Sequence, residues 1–258
     1  MGALKHRLYR GISRLCAAAD GGGKPRPGQR VLLYHAVGTA LPGNPYGISM
    51  DAERFRRHAS YLASLRPAWE FVAFGRPSAE KPQVAITFDD GFRDNLTTAA
   101  PLLAGLGLPM TVFVTPDKVR RPEGVYLSPT ELKELAALPG VTIGAHGDTH
   151  ARLVDLDNAA LRRELESSRR YLEDLLGRPV DSMSYPHGAV DRRVRDAAQA
   201  AGFVLGACSR YGLNSPERDP LLLCRTELTA WDDEEDLALK TAGHWDWYRL
   251  RHADPAAS

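Results

Sequence analysis

Apolar positions along the chain follow two rhythms. Short apolar runs at residues 31–34, 84–88, 110–114, 141–145 and 203–205 are rich in β-branched and aromatic residues and predict buried strands. Longer stretches between them repeat at helical spacing. Asp51 can cap a helix that carries Phe55, Ala59, Leu62 and Leu65 on one face. Ser128-Pro129-Thr130-Glu131 is a capping box with proline in the first turn, ahead of Leu132, Leu135 and Leu138. Asp157 opens a helix through Leu161, Leu165, Leu172 and Leu175, which Gly177 and Pro179 stop. Strands that alternate with helices imply a parallel sheet, closed as a barrel or open and doubly wound.

The first 19 residues stand apart. Leu4, Leu8, Ile12 and Leu15 form a narrow apolar stripe among His6, Arg7, Arg10 and Arg14, and a Gly/Pro-rich linker follows. This predicts residues 1–29 as an amphipathic helix with a linker and residues 30–258 as one globular domain. Such a helix can lie at an anionic membrane surface or pack on the domain, and its composition favours neither.

Composition narrows the class. A net charge of +1 gives no case for nucleic acid as a partner, and 43% hydrophobic residues suit an ordinary globular core. Cys16, Cys208 and Cys224 form no framework, which suits a reducing compartment. No apolar stretch is long enough for a spanning helix, and the charged N-terminal segment does not read as a signal peptide. A cytoplasmic location, with possible contact at the inner membrane face, is the expectation.

In a parallel barrel the chemistry sits where strands end at their C-terminal side. His35, Asp89-Asp90, His146 and Tyr185-Pro186 each follow a predicted strand. In Thr87-Phe88-Asp89-Asp90-Gly91, two adjacent carboxylates repel each other unless a cation or proton lies between them. His146-Gly147-Asp148-Thr149-His150 sets two imidazoles on one face if the segment takes a helical turn. Two imidazoles and a carboxylate with open positions describe a hydrolytic zinc site or a related divalent site. Taken singly, an Asp-Gly turn explains the first segment as well as chemistry does, surface histidines at this spacing are common, and a plain Pro-Gly turn is the better reading of Ser184-Tyr185-Pro186-His187-Gly188.

Together, and in this order, the three segments resemble the polysaccharide deacetylase (NodB-like) family, over roughly residues 30–226. The TFDDG and HxxxH motifs are matched in full. The third is matched in part, with Ser184 where the family usually has Arg and His187 where it has Tyr. The resemblance implies an irregular (β/α)7-type barrel, here a single domain with an N-terminal helical extension. It makes Asp89 the general base and Asp90, His146 and His150 the metal ligands. The ion expected is Zn²⁺, with Co²⁺, Ni²⁺ or Mn²⁺ compatible. Tyr185, Pro186 and His187 fall to the substrate or oxyanion side, with a backbone N–H near His187 as donor.

Members of the family carry an LxH motif near the C-terminus whose histidine protonates the departing amine. Leu250-Arg251-His252 fits the letters in a polar tail, whereas Leu33-Tyr34-His35 ends an apolar run. That is similar to the rearranged members with an N-terminal Tyr-His pair, and it assigns the acid to His35. Arg225, after the apolar run 221–224, is the candidate to orient Asp89 in place of the missing Arg. Of the remaining segments, Asp232–Asp236 is expected as a solvated first helical turn, and the aromatic residues 244–248 as a sugar platform or as packing.

The activity expected is removal of acetyl from an N-acetylated sugar or lipid-linked glycan in surface-polysaccharide or lipopolysaccharide synthesis. A catalytically idle carbohydrate-binding scaffold and a non-sugar amidase on the same fold are the alternatives.

Overall fold

The computed structural model describes residues 3–21, 25–44, 46–251 and 254–255. Seven parallel strands carry the fold: β1 (Gly28–Tyr34), β2 (Pro82–Phe88), β3 (Met110–Val114), β4 (Val141–Ala145), β5 (Ser182–Ser184), β6 (Leu205–Ala207) and β7 (Thr226–Glu227). Their order in the sheet is β7-β1-β2-β3-β4-β5-β6, so the last strand pairs beside the first. A short strand at Glu70–Phe71 adds to β2. Leu223, just before β7, exchanges backbone hydrogen bonds with the β6 region, through Gly206 and Cys208, and so curls the sheet toward closure.

Among the described residues eight α-helices accompany the sheet: α1 (Ala3–Asp20), α2 (Ala52–Ser64), α3 (Ala100–Gly105), α4 (Pro116–Arg120), α5 (Pro129–Ala137), α6 (Asn158–Leu176), α7 (Arg192–Ala200) and α8 (Glu234–Ala242). The caps expected at Asp51, Ser128 and Asp157 form, and Gly177 ends α6 with a left-handed φ of 65°. β6 begins two residues later than expected. Phe203 still bonds back to Ala198 and drops into the core, so Val204 is half exposed before pairing starts.

Alternation along each strand divides the core in two. Leu32, Ile86, Val112, Ile143 and Met183 point outward under the helices, whereas Val31, Ala85, Phe113 and Ala207 fill the barrel interior. Gly144 is required there, because a Cβ at that position would lie 2.5 Å from the Phe113 ring. The interior face ends at the rim in Asp89, His146 and Ser184.

The segment before β1 is docked on the barrel. From α1, Tyr9 packs edge-on against Trp245 and Trp247, while His6 and Arg10 reach Asp232 and Asp236 near the start of α8. Asp232 and Asp236 are therefore buried rather than solvated, and Trp245 is core. Leu8 and Leu15 remain exposed on the outer face of α1, while the side chain of Leu4 lies outside the described residues. Among the described residues no helix is long and apolar enough to cross a membrane.

Candidate metal and catalytic site

Asp89 continues the inward register of Ala85 and Thr87 and arrives at the rim fully buried. Asp90 would ordinarily point the other way. Its φ of 76° reverses the chain, followed by Gly91 at 78°, so both carboxylates face one rim. Four non-glycine residues have positive φ among those described, and three are Asp90, His150 and His187. Each such conformation costs on the order of 1 kcal/mol or more, and here they cluster where side chains must converge.

The expected helical turn between the two histidines is not what brings them together. His146 ends the inward register of β4. Gly147 and His150 then adopt left-handed φ values of 65° and 68° and fold His150 back over it, with ring centroids 4.9 Å apart. His150 Nε2 lies 3.3 Å and His146 Nε2 3.9 Å from Asp90 Oδ1. One donor atom from each of Asp90, His146 and His150 fits within 4.8 Å of the others.

The donor set also has the right protonation. His146 Nδ1 lies 3.0 Å from the Ser184 carbonyl, which can only accept, so the proton belongs on Nδ1 and the Nε2 lone pair faces the site. Burial keeps His146 below its ordinary pKa and pushes His150 down to about 3, with His146 adding to the latter effect. Burial pushes Asp90 up, but Lys118 and the histidines outweigh it and hold the carboxyl well below its ordinary range. Neutral imidazoles beside an ionised carboxylate are what a divalent ion requires.

Arg225 answers the departure at Ser184. Its guanidinium, inside the barrel over Phe113, donates from Nη1 to Asp89 Oδ1 at 2.7 Å and from Nη2 to Oδ2 at 2.8 Å. Nε donates to the Cys208 carbonyl at 3.2 Å. Ser184 Oγ adds a hydrogen bond to Asp89 Oδ1 at 3.1 Å and lies 2.5 Å from His146 Nδ1. Burial pushes Asp89 up, while Arg225 and then His146 pull it down, and the net shift is downward.

A cavity of about 630 Å³ opens over this group and is lined by His35, Asp89, Asp90, His146, His150 and His187, among others. His35 follows β1, and its buried Nδ1 has no hydrogen-bond partner among the described residues. It lies near enough to both carboxylates to help hold them ionised. The His187 ring is 4.6 Å from that of His150. Tyr211 and Tyr248 form part of the wall, so the aromatic run contributes its last residue to the cavity and Trp245 to the core.

Two expected contacts are not brought to the cavity. Tyr185 falls on the outward register of β5, where its ring is buried and its hydroxyl donates to the Leu221 carbonyl at 2.8 Å. Pro186 is buried and lies where a Cβ on Gly147 would meet its ring at 3.1 Å. The Tyr185 N–H is taken by Ala207 O and Pro186 has none, which leaves His187 as the backbone donor candidate of this segment. His252 lies outside the described residues. Lys118 was not expected. It reaches Asp90 Oδ1 at 2.8 Å from α4, and its only sequence signal is its place just after β3.

The family model described as polysaccharide deacetylase matches residues 76–206. YxkH of Bacillus subtilis (strain 168), whose name carries the same family, is 25% identical over 206 residues, 77% of this chain and 71% of that protein. The fold is similar to the Streptococcus pyogenes deacetylase PplD solved with acetate, at a TM-score of 0.73 and 20% identity, covering 83% of this chain and 99% of that one. It is also similar to IcaB from Ammonifex degensii, at 0.70 and 23% identity, covering 85% and 97%.

Proposed function

The chain belongs to the polysaccharide deacetylase family, and from that premise we propose that it is a metal-dependent N-deacetylase acting on an N-acetylated sugar in surface-polysaccharide or lipopolysaccharide synthesis. The observation that carries this reading is the convergence of Asp90, His146 and His150 on one point beneath a cavity that Asp89 and His35 also line. A divalent ion held there, Zn²⁺ first among the ions that suit two imidazoles and a carboxylate, supplies a Lewis acid for the acetamide carbonyl and acidifies water.

The chain's own residues divide the proton work. Asp89 Oδ1 accepts from both Arg225 and Ser184, while Oδ2 accepts from Arg225 alone. Oδ2 therefore keeps a lone pair for the proton of the attacking water. Arg225 fixes the carboxylate plane and keeps it ionised. His35, with its buried Nδ1 unpaired among the described residues, carries the proton that the departing amine needs. The backbone N–H of His187 is the donor we assign to the oxyanion.

A lipid-linked glycan suits a chain whose docked α1 shows Leu8 and Leu15 beside Arg7 on its exposed face. Vesicle flotation of the full chain against L8S/L15S tests that contact.

Acetate release from a panel of N-acetylhexosamine derivatives, with each of Zn²⁺, Co²⁺, Ni²⁺ and Mn²⁺, tests the activity. Asp89→Asn should retain the ion and lose turnover by roughly 10²–10⁴-fold. Near-normal rates in that variant remove Asp89 as the base.

A further inference from the structure

Asp90 Oδ1 is claimed twice. It is the oxygen that faces both imidazole Nε2 atoms, and it also accepts from Lys118 Nζ at 2.8 Å. Lys118 is held in place from behind. Its ammonium lies 4.7 Å over the Tyr126 ring and 6.0 Å from that of Phe92, and these two rings stack on each other 4.9 Å apart. The charge is thus partly enclosed, with the side chain 22% exposed, at the edge of the cavity.

The charges around the site are consequently already matched. Arg225 faces Asp89 and Lys118 faces Asp90, so each carboxylate of the pair has its own cation. An Asp-His-His site ordinarily attracts a divalent ion through an unmatched carboxylate, and here that carboxylate has a partner.

We propose that Lys118 is a built-in competitor of the metal, which weakens the Asp90-His146-His150 site so that the ion is held loosely and exchanges readily. The inference rests on the metal reading given above. Two routes lead to it with the same sign. If the ammonium stays on Asp90 as an ion enters, two cations share one oxygen and repel in a partly desolvated pocket. If it leaves, binding must also break a charged hydrogen bond, and the aromatic pair keeps the ammonium nearby. The same excess of positive charge favours an anionic tetrahedral species in the cavity, which gives the arrangement a use in turnover.

The test is the dissociation constant for Zn²⁺, measured by chelator competition on wild type, Lys118→Met, Lys118→Gln and Lys118→Arg. Metal-induced rise in Tm serves as a second readout. The two neutral variants should bind about tenfold more tightly or better and show a larger rise in Tm, while the arginine variant stays near wild type. Neutral variants that bind as the wild type does, or more weakly, overturn the proposal. If either neutral variant fails to fold, the other decides. A wild type that binds none of the divalent ions removes the metal reading and this inference with it, whereas binding insensitive to Lys118 removes this inference alone.

Discussion

Among the described residues, two largely buried clusters hold histidine and aspartate donors close enough to bind a cation. One is Asp90, His146 and His150, and the other is His6, Asp232 and Asp236. Their chemistry is similar and their surroundings are opposite. At Asp232, Oδ1 accepts from His6 at 3.1 Å and from Lys240 at 2.7 Å, and Oδ2 accepts from the Thr229 N–H and hydroxyl. Arg10 grips both oxygens of Asp236. Every carboxylate oxygen of this pair already accepts at least one hydrogen bond, and Asp232 and Asp236 are fully enclosed. The first cluster instead opens on a cavity, with two Nε2 atoms directed at one carboxylate and a single ammonium beside them. Donor identity therefore does not separate a site from a clamp. What separates them is how many donors the protein has left unfilled.

The largest expected effect breaks the comparison directly. Asp232→Asn leaves Lys240 without its carboxylate in the core, and it should cost about 3–5 kcal/mol of stability in urea unfolding while metal content stays at the wild-type level. His150→Ala should do the reverse, losing the ion with little change in the stability of the metal-free protein. Metal content by mass spectrometry beside urea curves of the metal-free forms checks both. Loss of metal in the Asp232 variant would merge the two clusters into one kind.

The same contrast explains what could be read in the sequence. The motifs at 87–91 and 146–150 were legible because an apolar run ends abruptly in charged or ligating residues, which marks a rim position. Their convergence was legible only as an outcome, since the positive φ at Asp90 and His150 replaces the expected helical turn. Strand alternation inverted the reading of the third segment. Ser184, which departs from the family pattern, faces the site, while Tyr185 beside it faces the helices. Arg225 could be placed after an apolar run and suggested as the partner of Asp89, whereas the bidentate contact it makes there depends on how the sheet curls from β6 to β1. Lys118 had no signal beyond its place just after β3, and the clamp at Asp232 and Asp236 looked like a solvated turn because two of its partners, His6 and Arg10, come from α1, more than 220 residues earlier in the chain.

A smaller effect follows from His58, which ties α2 to the structural cluster. Its Nδ1 accepts from the Tyr34 hydroxyl and its Nε2 donates to the Asp232 carbonyl, both at 3.2 Å. Burial lowers its pKa to about 4, against attraction from Asp232. The unfolded chain binds this proton first, near pH 6.5, so the stability contribution is full above that value. It is lost as pH falls from about 6.5 to about 4, and a shift of this size is worth about 3 kcal/mol. His150 and His146, also lowered, shape the metal-free curve in the same direction, so the difference between wild type and His58→Gln isolates His58. Stability measured by urea unfolding from pH 7.5 to 4 should fall less steeply in the variant, and parallel curves would show that His58 is not held neutral.

The smallest effect sharpens the comparison inside the open site, at Ser184. Its side chain and its carbonyl do different work. The carbonyl accepts from His146 Nδ1 at 3.0 Å and so sets the tautomer that presents Nε2, while the hydroxyl donates to Asp89 Oδ1 at 3.1 Å. Ser184→Ala removes the second, together with the hydroxyl's 2.5 Å contact with His146 Nδ1, and leaves the carbonyl in place. Asp89 keeps both hydrogen bonds from Arg225, so its ionisation and orientation survive, and a single hydrogen bond in such a network is worth about 1 kcal/mol. Metal affinity should therefore match wild type, and kcat should fall by no more than about tenfold, with KM unchanged. A matching loss of metal affinity would mean that the hydroxyl, rather than the backbone, holds His146 in its ligating tautomer. The open cluster would then depend on a side chain that one substitution can remove, as the closed cluster depends on Asp232.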